Sequence, residues 1–109
     1  MAAKDITSYR QAITVTGGID EAQSAQVRLL VMKELDAGHA HLVIDLSDVN
    51  FVSSTGLKML VSLWKRAHDA NGDMVLAGLQ PPVREVFNLI GFDLVFTIFD
   101  SVDDAFSQG

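Results

Sequence analysis

Ile13 and Val15 alternate with Thr14 and Thr16, the period-two pattern of a half-buried strand. Residues 6–10 read as another short strand just before it. Gly17-Gly18 is a turn signal, and Asp20 stands where an N-cap belongs. The helix it opens is expected over residues 21–36. Val27, Val31 and Leu35, with Leu30 beside them, form one stripe at helical spacing. Ala25, Leu29 and Met32 form a second stripe, rotated well away from the first. Either the helix packs deeply on both stripes, or the second stripe meets a partner. Gly38 ends this helix, as a C-terminal glycine commonly does.

His41-Leu42-Val43-Ile44-Asp45-Leu46 is nearly continuous in apolar residues, as in a strand buried on both faces. A second helix is predicted over residues 55–70. Leu57, Leu60, Val61 and Trp64 follow i, i+3, i+4, i+7 and are expected to face the core. Lys58, Ser62, Lys65 and Arg66 fall on the other side, with Met59 among them as an exposed apolar group. Asn71-Gly72 turns the chain into a short strand at 73–77. Pro81-Pro82 opens a third helix, where proline is tolerated. Val83, Val86, Phe87 and Ile90 form its expected core stripe, and Gly91 closes it. A last strand is expected at 95–98, and Ser101 caps a short helix through Phe106.

The predicted order is β-β-α-β-α-β-α-β-α. Helices between successive strands imply parallel, right-handed crossovers, with the first strand antiparallel at an edge. The expectation is one α/β domain over residues 1–109. It has a mixed, mostly parallel sheet of about five strands, with about four helices.

Composition narrows the function. A chain of 109 residues suits a single core. Its 49% hydrophobic and 20% charged residues give a globular balance. A net charge of −6 argues against nucleic acid as partner, because phosphate neutralisation needs clustered Lys and Arg. With no cysteine there is no disulfide, thiolate nucleophile or Cys-ligated metal, which fits a reducing cytoplasm. Met1-Ala2-Ala3-Lys4-Asp5 lacks the apolar run of a signal peptide. No apolar stretch approaches the ~20 residues that span a bilayer, so no membrane insertion is expected.

Candidate chemistry is sparse. His39 and His41 are not followed by Cys or Glu at ligand spacing, so no metal site is assigned. Neither of the common glycine-rich phosphate motifs is present. Ser54, His68 and Asp20 can be drawn as a Ser-His-Asp set, but such sets arise by chance in any chain. A receiver domain would need paired acids after its first strand and an acceptor Asp at a strand end. Asp20 is single, and Asp45 lies within its strand. The expectation is a non-enzymatic protein with no cofactor.

The stretch Val49-Asn50-Phe51-Val52-Ser53-Ser54-Thr55-Gly56-Leu57 stands out. Three hydroxyl side chains in a row precede a glycine at a helix start. One hydroxyl suffices for an N-cap, and no Glu or Gln follows at the spacing of a capping box. Gly56 costs the first turn roughly 0.5–1 kcal/mol relative to Ala, which makes sense if a backbone or a phosphate approaches closely. A helix N-terminus also favours anions. The hydroxyls therefore fit either a plain cap or a modifiable site.

Together Gly17-Gly18-Ile19-Asp20, the strand end Ile44-Asp45-Leu46-Ser47 and Phe51-Val52-Ser53-Ser54-Thr55-Gly56-Leu57 resemble a STAS domain. Specifically, they resemble the small bacterial anti-sigma-factor antagonists. Asn71-Gly72-Asp73 and Pro81-Pro82-Val83 fit the same layout, so the resemblance covers nearly the whole chain. It implies a partner-switching role. The unphosphorylated antagonist binds an ATP-using anti-sigma serine kinase, the kinase phosphorylates a serine at the second helix's N-terminus, and a serine phosphatase restores it. By position that serine matches Ser54, supported by Asp20, Ser53, Thr55 and Gly56. Lys58, Met59 and Ser62 would form the partner surface. The pattern departs from the family at Ser53, where an aspartate is usual, which makes Ser53 a competing acceptor or cap. The resemblance also extends to unphosphorylated STAS subunits of lipid transporters and sensory assemblies.

Overall fold

The computed structural model describes residues 11–107, so the strand expected at 6–10 lies outside the described residues. Strand β1 (Gln11–Ile19) leads into helix α1 (Glu21–Asp36), β2 (His41–Val52) and α2 (Ser54–Asp69). Then follow β3 (Asp73–Ala77), α3 (Pro81–Leu89), β4 (Ile98–Phe99) and α4 (Val102–Phe106). The sheet order is β1-β2-β3-β4, and every pairing is parallel. The α/β class and the four helices are as expected. The sheet has four strands among the described residues, all paired in parallel; the fifth expected strand, the antiparallel one, is the stretch at 6–10 that lies outside them.

Gly17-Gly18 is not a turn. Both glycines lie inside β1, where the register with β2 slips between Thr14 and Thr16 and again between Gly17 and Gly18. Gly17 has φ +77°, and glycine inside a strand marks such bulges. Strand β2 also runs past its expected end at Leu46 as far as Val52. Beyond Leu46 it keeps Val49 buried while Ser47, Asp48 and Asn50 face solvent. The Asp45 carboxylate accepts the Ser47 N–H at 3.0 Å. The last strand sits later than expected. Residues 92–94 wind into a 3-10 turn, closed by the Val95 N–H donating to the Phe92 carbonyl at 3.0 Å.

The continuous apolar strands are covered on both faces. Leu42, Ile44, Met74 and Leu76 pack with Val27, Val31, Leu60 and Leu63 under α1 and α2. Val43, Val75 and Ala77 point the other way, onto Ala105 of α4. Each fully buried large aliphatic contributes about 1.5–3 kcal/mol.

The helices bury narrower faces than their spacing predicts. On α1, Val27 and Val31 are buried, but Leu29 and Leu30 are 66% and 48% exposed, so the helix does not pack deeply on both stripes. On α3, Val83 and Phe87 are buried, while Val86 and Ile90 stay exposed. On α2 the buried face is centred on Met59, Leu60, Leu63 and Ala67. Leu57, Val61 and Trp64 sit at its margin.

Candidate functional site

The ends of β1 and β2 place the first turns of α1 and α2. Asp20, just after β1, caps α1: its carboxylate accepts the Gln23 N–H at 2.9 Å, and its carbonyl accepts the Ser24 N–H at 2.8 Å. Ser53, just after β2, ties α2 to β1. Its N–H donates to the Ile19 carbonyl at 2.9 Å, and its hydroxyl accepts the Gly56 N–H at 3.0 Å. Its carbonyl accepts the Leu57 N–H at 2.9 Å. Ser53 is thus the structural cap.

Ser54 and Thr55 differ from it. Both are exposed in the first turn of α2, and neither hydroxyl makes a hydrogen bond among the described residues. Their environment is the positive end of a sixteen-residue helix. Gly56 is explained by the close approach of the ends of β1 and β2, side chains first and backbone next. A Cβ there would lie 2.8 Å from Ile19 Cγ2, 2.9 Å from Val52 Cγ1 and 3.1 Å from the Ile19 carbonyl oxygen. The glycine lets α2 start flush against the end of β1.

Lys58 is exposed one turn beyond Ser54, and Ser62 is half-buried one turn further on. With Thr55 they form the α2 wall of a groove of about 470 Å³, opposite Glu21, Ser24 and Arg28 of α1. Met59 also lines this groove, but it does not stand exposed beside them. It is 3% exposed and belongs to the main core, so the expected exposed anchor is withdrawn. The physical reason is that α1 packs alongside α2 and covers this position. The helical pattern of α2 alone does not say on which side its neighbour lies. Ser24 and Arg28 were not anticipated in this groove. The signal was available for Ser24, which stands in line with Val27 and Val31 at i+3 and i+7 and is buried with them.

The Ser-His-Asp set is not assembled. Ser54 and His68 lie fourteen residues apart on one helix, about 21 Å of rise. His68 pairs instead with Asp73 at 2.9 Å, and Asp20 is engaged as a cap. His39 pairs with Glu34 at 2.7 Å. Among the described residues no three His, Cys, Asp or Glu side chains are grouped to hold a metal ion. Among them also, no helix is long and apolar enough to cross a membrane.

The family model of the STAS domain matches residues 4–105. The chain belongs to the STAS domain family. Its similarity to the protein named "Putative anti-sigma factor antagonist BtrV" of Bordetella bronchiseptica is 32% identity over 89 residues, 82% of this chain and 77% of that one. A crystal structure of an anti-sigma factor antagonist from Mycobacterium paratuberculosis superposes with a TM-score of 0.79. That pair shares 28% identity, with 89% of this STAS chain and 82% of the other covered. The fold is also that of the Bacillus cell fate determinant SpoIIAA in its phosphorylated form. There the TM-score is 0.71 at 16% identity, covering 93% and 92% of the two chains.

Proposed function

We propose that this STAS domain is an anti-sigma-factor antagonist acting as a non-enzymatic phospho-switch. In this reading the unphosphorylated domain binds an ATP-using anti-sigma serine kinase, and phosphorylation of Ser54 ends the complex. A serine phosphatase returns the domain to its binding form. The observation that carries the reading is the division of labour between adjacent serines. Ser53 is committed to the Gly56 N–H, whereas Ser54 is exposed with an unengaged hydroxyl. A kinase can therefore take Ser54 into its active site without uncapping α2. The naming of similar proteins as anti-sigma factor antagonists supports the partner class.

A phosphoserine adds about −1.5 to −2 charge and three acceptor oxygens. At the first position of α2 these meet the helix dipole, so the modified domain keeps its fold. A partner packed on Ser54 would have to desolvate that charge. Lys58 and Ser62, one and two turns on, are the α2 contacts such a partner reaches next. Thr55 and Gly56 shape the turn, and Asp20 holds the neighbouring helix start.

The test is phosphorylation by the cognate kinase with ATP, read by intact mass. Wild type and Ser53→Ala gain one phosphate, and Ser54→Ala gains none. Modification of Ser54→Ala at the wild-type rate would remove Ser54 from the mechanism.

A further inference from the structure

The cations of this acidic domain are not spread evenly. Among the described residues, α1 and α2 carry five Lys or Arg, namely Arg28, Lys33, Lys58, Lys65 and Arg66, against four Asp or Glu. Residues 81–106 carry only Arg84 against five Asp or Glu. Among the described residues Arg84 is also the one Lys or Arg held in an ion pair, by Asp100 at 3.5 Å. Lys58, Lys65 and Arg66 are exposed, and none of their side chains meets a carboxylate or another hydrogen-bond acceptor among those residues.

These three cations line a shallow furrow of about 590 Å³ along α2, together with Val61, Ser62 and Asp69. The furrow is therefore cationic by its own lining, three charges against one. Val61 and Ser62 are half-buried and small, so a partner can come close between the charges. Ser54, Lys58, Val61 and Lys65 stand at i, i+4, i+7 and i+11, one line along the helix. From Ser54 to Lys65 the helix rises about 17 Å. A standard interface covers about 800 Å² on each partner, roughly 30 Å across. A protein seated on Ser54 thus reaches Lys65 and Arg66 as well.

We propose that this furrow receives an acidic face of the partner that engages Ser54, with Asp or Glu side chains set about 10 Å apart to meet Lys58 and Lys65, two helical turns from each other. The inference rests on the phospho-switch reading above and adds the partner's chemistry to it. Complementary charges of this kind set which protein docks and how fast. Nucleic acid and anionic membrane fit less well. Three cations neutralise few phosphates, and the net charge of −6 opposes an extended polyanion. An acidic partner also sharpens the switch. A phosphate on Ser54 would draw on Lys58 and face the same carboxylates, so repulsion adds to the cost of burying it.

The experiment uses the full chain and the kinase that phosphorylates Ser54. Lys65→Glu and Lys33→Glu change the net charge equally, but Lys33 lies on α1, outside the furrow. Lys65→Glu should weaken the kinase complex at least about tenfold, mainly by slower association, whereas Lys33→Glu stays within about twofold of wild type. Raising NaCl from about 50 to about 300 mM should slow association of the wild type at least about fivefold and that of Lys65→Glu by less than about twofold. Both variants should keep the wild-type melting curve. Zero-length carbodiimide coupling, which joins a lysine amine to a carboxylate in contact with it, should link Lys58 or Lys65 to an Asp or Glu of the kinase. Equal affinity of Lys65→Glu and wild type, an equal loss in Lys33→Glu, or no such link overturns the proposal. Those results leave the phosphorylation of Ser54, read by intact mass in the same samples, standing on its own. No phosphate on Ser54 and no complex would end the phospho-switch reading and this one with it. Sedimentation of the wild type, but not of Lys65→Glu, with phosphatidylserine vesicles would assign the furrow to a membrane and overturn the proposal as well.

Discussion

Gly56→Ala tests whether the start of α2 is as tightly seated as its geometry indicates. The added methyl would stand 2.8 Å from Ile19 Cγ2 and 2.9 Å from Val52 Cγ1. Neither neighbour yields easily. Ile19 is fully buried, and its carbonyl, 3.1 Å from the new atom, is bonded to the Ser53 N–H. Overpacking of this kind costs about 1–3 kcal/mol. Alanine recovers at most ~1 kcal/mol by restricting the unfolded chain and favouring the helix. The net expectation is a loss of about 1–2 kcal/mol. For a domain near this size that is a fall in Tm of roughly 5–15 °C, measured by circular dichroism. Hydrogen exchange at the amides of Gly56 and Leu57 should quicken in parallel, because both depend on the Ser53 cap. A Tm equal to or above wild type would mean that α2 can lift off β1 without penalty, and the account of Gly56 would be wrong.

Other substitutions separate packing from switching. Met59→Ala should cost about 2–5 kcal/mol in denaturant unfolding, as a buried methionine does; a loss below 0.5 kcal/mol would return Met59 to the surface. Ser53→Ala should cost ~1 kcal/mol as a lost cap yet still accept phosphate. Ser54→Ala should stay within about 0.5 kcal/mol of wild type, and the two melting curves check the assignment of cap and free hydroxyl. Asp20→Asn keeps a capping side chain, so its Tm should match wild type while its phosphorylation rate or partner affinity falls. Equal rates and equal affinity would leave Asp20 as a cap and nothing more.

What the sequence made legible was what depends on neighbours close in the chain. Asp20, Ser53 and Ser101 do cap helices, each through a hydrogen bond to the residue three positions on. Gly91 does take φ +80° after α3. The errors came where a distant element decides. Met59 looked exposed because its neighbours Lys58 and Ser62 are polar, but α1 lies over that side of α2. Val86 and Ile90 looked buried because they continue the Val83–Phe87 stripe, but no described element covers them. Gly17-Gly18 read as a turn because a bulge and a turn use the same residue. Only pairing with Val49 and Phe51 of β2 distinguishes them. The role of Gly56 was half legible: a close approach was expected, but it is made first by the side chains of Ile19 and Val52, which come from the two strands the helix start rests on.

The geometry of Ser54 also fixes where the energy of a phospho-switch must fall. A phosphate there sits at the positive end of α2, an interaction worth about 0.3–1 kcal/mol in favour of the modified, folded domain. Lys58, four residues on and exposed, is placed to add a helical i, i+4 pair of a few tenths of a kcal/mol. Nothing buried is displaced, because the cap hydroxyl belongs to Ser53. In the proposed switch, phosphorylation therefore acts on the complex rather than by unfolding this end of the domain, because burying a charged group there costs several kcal/mol unless it is fully paired. Three kcal/mol corresponds to more than a hundredfold in affinity. The phosphorylated domain should then melt at or slightly above the temperature of the unmodified one, while binding its kinase at least a hundredfold more weakly by calorimetry. A Tm lowered by several degrees, with the α2 amides losing protection, would show instead that the phosphate dislodges the helix, and that the switch is conformational rather than interfacial.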